Sequence, residues 1–105
     1  MKNVYITGFG SFLPNDPVLN DDIEKYIGKI NDKSTRLGRA TLRRNGIESR
    51  FYALSTEGNQ SFTNAELASY AIKNAASDAK ISLDEIELIA TSTTIGDQFV
   101  PGFAS

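Results

Sequence analysis

The sequence predicts an α/β fold with layered packing, because segments typical of strands alternate along the chain with segments typical of helices. Residues 4–7 and 86–94 are rich in β-branched and other apolar side chains, as strands are. Residues 63–79 lie between them and repeat alanine at helical spacing. With the weaker helix and strand segments described next, the predicted order is strand, helix, strand, helix, strand.

Turn and capping residues mark the ends of the weaker elements. Asn20 is a suitable N-cap for a short helix that ends at Gly28. Residues 37–44 contain good helix formers and are followed by an Asn-Gly pair at 45–46, which indicates a helix stop or a turn. Residues 47–54 alternate loosely and form the second strand candidate.

The segment from residue 63 onwards carries the clearest helix signal. Thr63 is followed three residues later by Glu66, which is the pattern of a capping box. The small apolar side chains on one face allow a neighbouring element to approach closely, so we expect a buried helix. That face consists of Ala68, Ala71, Ile72, Ala75 and Ala79.

Gly8 and Gly10 follow the first predicted strand, where a dinucleotide-binding loop is one interpretation. Its fingerprint has a third glycine that opens a helix, but Leu13 and Pro14 stand at that point. We therefore interpret the two glycines as positions of tight backbone contact.

Composition excludes several classes of function. The chain has 105 residues and a formal net charge of −2, so it suffices for one domain and has no global attraction to nucleic acid or anionic membranes. Cysteine and histidine are absent from the sequence, which removes the best protein nucleophile, the commonest general base and the usual metal ligands. No segment reaches the roughly 18 apolar residues of a membrane span. We expect a cytoplasmic chain without metal or cofactor.

The five arginines of the chain fall within fifteen residues, at Arg36, Arg39, Arg43, Arg44 and Arg50. In a helix over 36–43, the first three share one face. Guanidinium groups match phosphate oxygens bidentately, so the cluster suits a phosphate-bearing ligand or an acidic partner. From composition alone, a solvated basic face is the alternative.

Four hydroxyl-bearing residues, 91–94, end the last predicted strand. Strand ends in open α/β sheets commonly line ligand crevices. The alternative is that these hydroxyls only satisfy backbone groups. The residues themselves leave both interpretations open.

Four segments, in order, resemble motifs of the type III β-ketoacyl-acyl-carrier-protein synthases. Residues 5–14 (YITGFGSFLP) resemble the opening strand G-x-G-S-Y-L-P, and residues 20–25 (NDDIEK) the helix N-x-D-L-E-K. Residues 44–50 (RNGIESR) are similar to R-T-G-I-x-E-R. Residues 84–89 (DEIELI), with the threonine-rich segment and Pro101 after them, resemble D-I-D-L-I-x-x-A-T-x-T…F-P.

The resemblance implies a thiolase fold, in which two pseudo-repeated α/β halves form a five-layer sandwich, usually as a homodimer. Residues 1–105 would be an incomplete N-terminal domain, the first half of the layered αβα fold, with a mixed sheet and a buried alanine-rich helix. The family catalyses a decarboxylative Claisen condensation in fatty-acid or polyketide-type biosynthesis. A cysteine is acylated by a primer, and the carbanion formed from malonyl-carrier protein captures the acyl group, assisted by a histidine and an asparagine. The family's cysteine lies beyond the segment matched here, so these residues alone are expected to be inactive.

The resemblance also assigns substrate-binding roles to three residues. Arg44 matches the family arginine that contacts the coenzyme A end of the primer. Thr94 and Val100 align with positions that line the acyl pocket, the latter reaching across the dimer where the family often has phenylalanine. A valine there predicts a primer bulkier than acetyl.

Two departures from the family concern how the primer is carried. The stretch between residues 25 and 44 is longer than usual, and Ala40 stands roughly where a tryptophan stacks on the adenine of coenzyme A. Loss of a stacking contact, about 1–3 kcal/mol, favours a primer bound to acyl-carrier protein. Arg36, Arg39 and Arg43 would then meet the acidic carrier surface, as in a specialised-metabolite branch.

A second interpretation is a natural non-catalytic half-fold that binds a carrier protein or dimerises. Like the enzyme interpretation, it predicts apolar surface that this chain leaves uncovered. Nucleic-acid binding is a weak third interpretation, because the chain is acidic overall and no aromatic residue interleaves residues 36–44.

Overall fold

The computed structural model describes residues 2–98. Within this range the chain divides into two compact units, one formed by Pro14–Phe62 and the other by residues 2–13 together with residues 63–98. Helices and one short sheet make up the regular structure, a mixture compatible with the predicted α/β class.

A two-stranded antiparallel sheet lies in the unit Pro14–Phe62. Strand β1 is Val18–Leu19 and strand β2 is Ser49–Arg50, with Val18 opposite Arg50. Val18 is almost fully buried, at 2% exposure. The Arg50 guanidinium donates a hydrogen bond to the Val18 carbonyl (3.0 Å), so its side chain reinforces the strand pair.

Two helices lie between these strands. A 3-10 turn, Asn20–Asp22, leads into α1, Ile23–Ile27, and α2 is Asp32–Arg44. The predicted end of α1 at Gly28 is confirmed. Its φ of +84° lies in the region that favours glycine, and its N–H bonds to the Glu24 carbonyl at 3.0 Å.

Helix α2 begins earlier than the predicted residue 37, because a capping residue stands upstream. The Asn31 side chain accepts a hydrogen bond from the Ser34 N–H (2.8 Å), which satisfies one of the unpaired donors of the first turn. The predicted helix stop is confirmed, since Asn45 caps the helix and Gly46 follows with a φ of +71°.

The prediction that Asn20 caps a helix is wrong. Its side-chain amide donates instead to the Ile47 carbonyl at 2.8 Å, and its side-chain oxygen accepts from Arg50. A side chain committed to these two tertiary bonds is not available to the first turn of α1. That helix starts at Ile23, and its N-cap residue, Asp22, makes no side-chain capping bond.

Helix α3, Asn64–Ala79, begins as predicted. The Thr63 hydroxyl oxygen accepts a hydrogen bond from the Glu66 N–H at 3.1 Å. Ser82 starts a 3-10 turn, Leu83–Glu85, as part of a reciprocal capping box.

Gly8 and Gly10 lie directly against α3, which confirms their interpretation as close-contact positions. A Cβ added at Gly8 would lie 2.7 Å from the Ala79 backbone nitrogen. One added at Gly10 would lie 2.6 Å from the Ala71 carbonyl oxygen. Real Cβ atoms essentially never approach this closely, so only glycine fits the backbone at these positions.

Hydrogen bonds fix the same N-terminal segment along the helix. The Phe9 N–H donates to the Asp78 carboxylate at 2.9 Å. The Asn74 side-chain amide donates to the Ser11 carbonyl at 2.8 Å. Small side chains on α3 and glycines opposite them therefore bring two backbones together, and polar side chains at the edge of the contact set their register.

The predicted strands over 4–7 and 86–94, and the mixed sheet they imply, are not formed in the part of the chain that the structure describes. Of the strand predicted over 47–54, only Ser49–Arg50 pairs as a strand. A strand exists only through ladder partners, and these apolar segments have none within residues 2–98. Val4 is consequently 95% exposed and Leu88 84%.

The expected burial of the alanine-rich helix is also wrong for this chain. Ala76 alone among the residues of α3 is buried, at 6% exposure, and the rest of its apolar face is half-exposed. The N-terminal segment, residues 2–13, covers part of the apolar face of α3. The described residues supply no sheet to cover the remainder. No helix within residues 2–98 is both long and apolar enough to cross a membrane.

Candidate functional site

Helix α2 places three of the predicted site residues on one exposed face. Arg36, Arg39 and Arg43 are three and then four positions apart, so the helical repeat stacks them along a single stripe. Each side chain is exposed to solvent. The sequence prediction of a shared arginine face is therefore confirmed as local geometry.

One of these arginines is engaged in an ion pair. Arg39 Nε lies 3.6 Å from an Asp21 carboxylate oxygen, and the two side chains are 51% and 84% exposed. An exposed pair at this distance is weak and screened by salt. Within residues 2–98 no ion pair involves Arg36, Arg43 or Arg44, so their charges face solvent.

Arg39 and Arg43 together line a groove of about 300 Å³ beside the end of α2. Two carboxylates share the groove with the two guanidinium groups, which makes it a site of mixed charge. Arg36 and Arg44 lie outside it. Its lining consists of Asn20, Asp21, Arg39, Arg43, Gly46, Ile47 and Glu48.

A lysine adds to the positive charge of the same unit. Lys25 on α1 lies 2.8 Å from a carboxylate oxygen of Asp22. The hydrogen bond to this carboxylate, with its negative charge, raises the pKa of Lys25 above its usual value. Lys25 is therefore a cation throughout the physiological range.

Arg50 belongs to the basic cluster in sequence but performs a different task in the fold. It is half-buried, and its guanidinium binds the Val18 carbonyl and the Asn20 side-chain oxygen. Because these acceptors occupy its donors, Arg50 supports the strand pair. Arg50 follows Arg44 by six positions, and the sequence alone does not reveal that Arg50 is structural whereas Arg44 is exposed.

The four hydroxyl-bearing residues, 91–94, end in a turn that belongs to the same unit as α3. The Thr93 hydroxyl donates to the Ile95 carbonyl at 3.1 Å, as the alternative interpretation of backbone satisfaction predicts. Thr94, one of the residues assigned to the acyl pocket, lies on this turn with its side chain exposed. Val100, the other, lies outside the described residues.

Two residues that the sequence analysis missed hold this turn against the start of α3. The Asp97 carboxylate accepts from the backbone N–H groups of Asn64 and Ala65, each at 2.9 Å. The Asn64 side-chain amide donates to the Ile95 carbonyl at 2.6 Å. An acidic residue after Gly96 was the only local signal, and it does not reveal a partner more than thirty positions away.

A second groove, of about 490 Å³, runs along the half-exposed apolar face of α3. The residues around it are small or apolar and come from three segments of the same unit. They are Thr7, Gly8, Ala68, Ala71, Ile72, Ala75, Ala76, Ala79, Ile81, Ile86, Leu88, Ile89, Ala90, Thr91 and Ser92. Among residues 2–98 no group of three histidine, cysteine, aspartate or glutamate side chains could hold a metal ion.

Comparison with known proteins relates almost the whole chain to one kind of enzyme. The chain is 33% identical over 104 residues to the "Beta-ketoacyl-[acyl-carrier-protein] synthase III" of Clostridium perfringens, which covers 99% of the chain. It is 36% identical over 100 residues to the protein of the same name from Rickettsia felis, and 36% identical over 104 residues to that from Clostridium botulinum. The chain is thus similar to part of the β-ketoacyl-acyl-carrier-protein synthases III. No family model matches it.

The resemblance read from four short motifs is thereby confirmed along 95–99% of the chain. The chain spans 28% of the length of each of these synthases. The candidate residues form two separate groups, the arginine face of α2 in one unit and the turn around Thr94 in the other.

Proposed function

We propose that this chain forms part of an acyltransferase of the β-ketoacyl-acyl-carrier-protein synthase III type. The observation that carries the proposal is the 33–37% identity to synthases of that name over nearly the whole chain. The reaction would be a decarboxylative Claisen condensation. Loss of carbon dioxide from malonyl-carrier protein gives a carbanion, which attacks the acyl thioester carbonyl and expels the enzyme's thiolate.

The thiol that carries the acyl group in that reaction would have to come from outside these 105 residues. The sequence contains neither cysteine nor histidine, so the acylated thiol and the imidazole that assists decarboxylation are both missing from it. The 105 residues by themselves would therefore be inactive, as the sequence analysis predicts. Their contribution would be structural support and substrate contacts.

The proposed fold is the first half of a thiolase-like layered structure. The exposed apolar segments around Val4 and Leu88 support this proposal, since each has the composition of a strand and no ladder partner within residues 2–98. Neighbouring strands from the rest of such a protein would pair with them and cover α3. A homodimer in the cytoplasm is part of the same proposal.

The substrate contacts proposed for this chain follow from the two groups of candidate residues. Arg44 would contact the primer's carrier end, and Thr94 and Val100 would line the acyl pocket. The exposed guanidinium groups of Arg36, Arg39 and Arg43 support binding to an acidic carrier protein, because charges of opposite sign steer association. The two carboxylates of the adjoining groove would limit binding of a free phosphate there.

The test is to express the complete reading frame that encodes this chain and to measure condensation with malonyl-carrier protein. Acyl primers from acetyl to octanoyl are supplied both as coenzyme A and as carrier-protein thioesters. We expect a β-ketoacyl product, a preference for carrier-bound primers, and a preference for primers longer than acetyl. Absence of product with every primer would contradict the proposed reaction, and strict acetyl specificity would contradict the role given to Val100.

The second candidate is a non-catalytic half-fold that binds a carrier protein or a second copy of itself. The open apolar groove along α3 favours it, because such surface in an isolated chain is covered by association. The reading frame past Ser105 discriminates the two candidates. A continuation that encodes a cysteine and later a histidine and an asparagine supports the synthase, whereas a stop codon there supports the binding module.

A further inference from the structure

The first turn of α3 has all three of its leading backbone N–H groups bonded, and the acceptors come from two distant places in the sequence. Thr63 accepts from Glu66, as in an ordinary N-cap. Asp97, thirty-three positions after Asn64, accepts from Asn64 and Ala65. These donors have no partner inside a helix, so the turn that carries Asp97 completes the helix end.

The same turn is held from a second side. The Ile95 carbonyl accepts from the Asn64 side-chain amide at 2.6 Å and from the Thr93 hydroxyl at 3.1 Å. We name the three bonds that join Asn64 and Ala65 to Ile95 and Asp97 the α3 clamp. Thr94 directly precedes Ile95, and the hydrogen bond from Thr93 to the Ile95 carbonyl spans it.

Charge strengthens the clamp. The Asp97 carboxylate lies at the positive end of the α3 dipole, and hydrogen bonds to an ionised acceptor are about twice as strong as neutral ones. Both of its oxygens are used, one for each backbone N–H. An asparagine at this position keeps the shape but has a single acceptor oxygen and no charge.

We propose that Asn64 and Asp97 are positioning residues, which fix the Thr94 turn relative to α3 and thereby set which acyl chains the enzyme accepts. This inference rests on the proposed function, because it takes Thr94 as a residue of the acyl pocket. Neither side chain is assigned a contact with substrate. Their effect passes through the backbone at Ile95 and Asp97.

Geometry explains why specificity is the property affected. The clamp fixes the backbone at Ile95, directly after Thr94, and the Thr93 hydroxyl bonds the same Ile95 carbonyl. A shift of Thr94 therefore strains these bonds. Displacement of a pocket-lining group by about 1 Å changes how substrates are held and lowers rates by orders of magnitude in unfavourable cases. Acyl chains that differ in length contact this group differently, and their rates would change unequally.

The experiment uses the full-length protein with Asp97→Ala, Asp97→Asn and Asn64→Ala. Glu87→Gln is the matched control, since it removes one exposed carboxylate of the same unit for which residues 2–98 provide no ion pair or hydrogen bond. The readouts are kcat/KM for acetyl and hexanoyl primers and hydrogen exchange at residues 62–66 and 92–97. We expect the ratio of the two kcat/KM values to change by roughly tenfold in Asp97→Ala and less in Asp97→Asn. We expect exchange to be roughly fivefold faster in both segments, and Glu87→Gln to match the wild type.

The outcomes separate this inference from the proposed function. A wild-type protein that does not condense any primer overturns the proposed function. Unchanged exchange in the variants overturns the clamp, whether or not the protein is active. Faster exchange with an equal loss of rate for both primers overturns the role in specificity, because a purely structural defect lowers both alike. If Asp97→Ala fails to fold, Asp97→Asn provides the same comparison.

Discussion

Single residues matter most in this chain where two backbones touch. Gly8 and Gly10 leave no room for a side chain against α3, whereas Gly38, in the middle of α2, has nothing within 4 Å of the position of an added Cβ. The same substitution at Gly10 and at Gly38 therefore probes opposite situations. One adds an atom to a filled contact, and the other only reduces the conformational freedom of the unfolded chain.

We predict that Gly10→Ala destabilises the protein by about 1–3 kcal/mol, because the new methyl group overlaps the backbone of α3 at Ala71 and Ala75. Gly38→Ala is the control and should raise stability by about 0.5–1 kcal/mol, as alanine favours a helix interior over glycine. Urea denaturation gives both values. Equal effects of the two substitutions would mean that the N-terminal segment does not pack on α3 in solution.

Individual residues also show which features of the site could be predicted from the sequence alone. Thr63 and Gly28 act on neighbours a few positions away, and the sequence predicted both of them correctly. Asp97 and Arg50 act on partners more than thirty positions away, and their local sequence contains no trace of the partner. Capping is a local property, whereas tertiary hydrogen bonds depend on which segments the fold brings together.

At the scale of elements, α2 combines an exposed arginine face with an apolar side. Between that side and α1 lies a groove of about 190 Å³, to which Ile23, Ile27 and Leu42 contribute. This packing orients the helix and leaves the arginine face exposed to solvent, with Arg39 at the edge of the groove. An acidic partner would meet the guanidinium groups with little rearrangement.

We predict that Arg43→Glu weakens binding of acyl-carrier protein by roughly fivefold at low salt, since it replaces an attraction with a repulsion. Lys33→Glu makes the same charge change near the other end of α2 and should have a smaller effect. Surface plasmon resonance at two salt concentrations checks this, and the difference between the variants should shrink at high salt. A larger effect from Lys33→Glu would place the carrier elsewhere.

The strands were the part of the fold that sequence reasoning predicted least well. Helix α3 forms because its hydrogen bonds are internal, so its local signals sufficed. Residues 4–7 and 86–94 have strand composition, yet a strand also requires a neighbour, which residues 2–98 do not provide for them. Composition indicates what a segment favours and contains no information about its partner.

At the scale of the whole molecule, the feature to explain is apolar surface that remains in contact with water. Val4, Ile6 and Leu88 are exposed to 95%, 78% and 84%, and a groove along α3 lies beside the segments that carry them. Apolar surface of this kind favours association by about 25 cal/mol for each Å² that becomes buried. In the proposed synthase, the rest of the protein would cover it.

We predict that the 105 residues expressed alone bind a hydrophobic dye and self-associate at micromolar concentration, and that the full-length protein does neither beyond its dimer. Sedimentation velocity and dye fluorescence measure the two properties. Leu88→Asp should reduce both in the isolated chain, with Leu37→Asp on the exposed side of α2 as the control. A monomeric isolated chain that binds no dye would contradict both the synthase and the binding-module proposals.

The α3 clamp has a consequence for the order of events during synthesis. The ribosome makes Asn64 and Ala65 thirty-odd residues before Asp97, so the growing chain passes through a stage in which α3 exists with its two leading donors bonded only to water. The N-terminal segment of the chain is made earlier still, and Gly8 and Gly10 cannot form their contact until α3 has been made. Only after residue 97 has been made does this unit contain every group of the α3 clamp, and a nascent chain arrested short of it would lack those bonds.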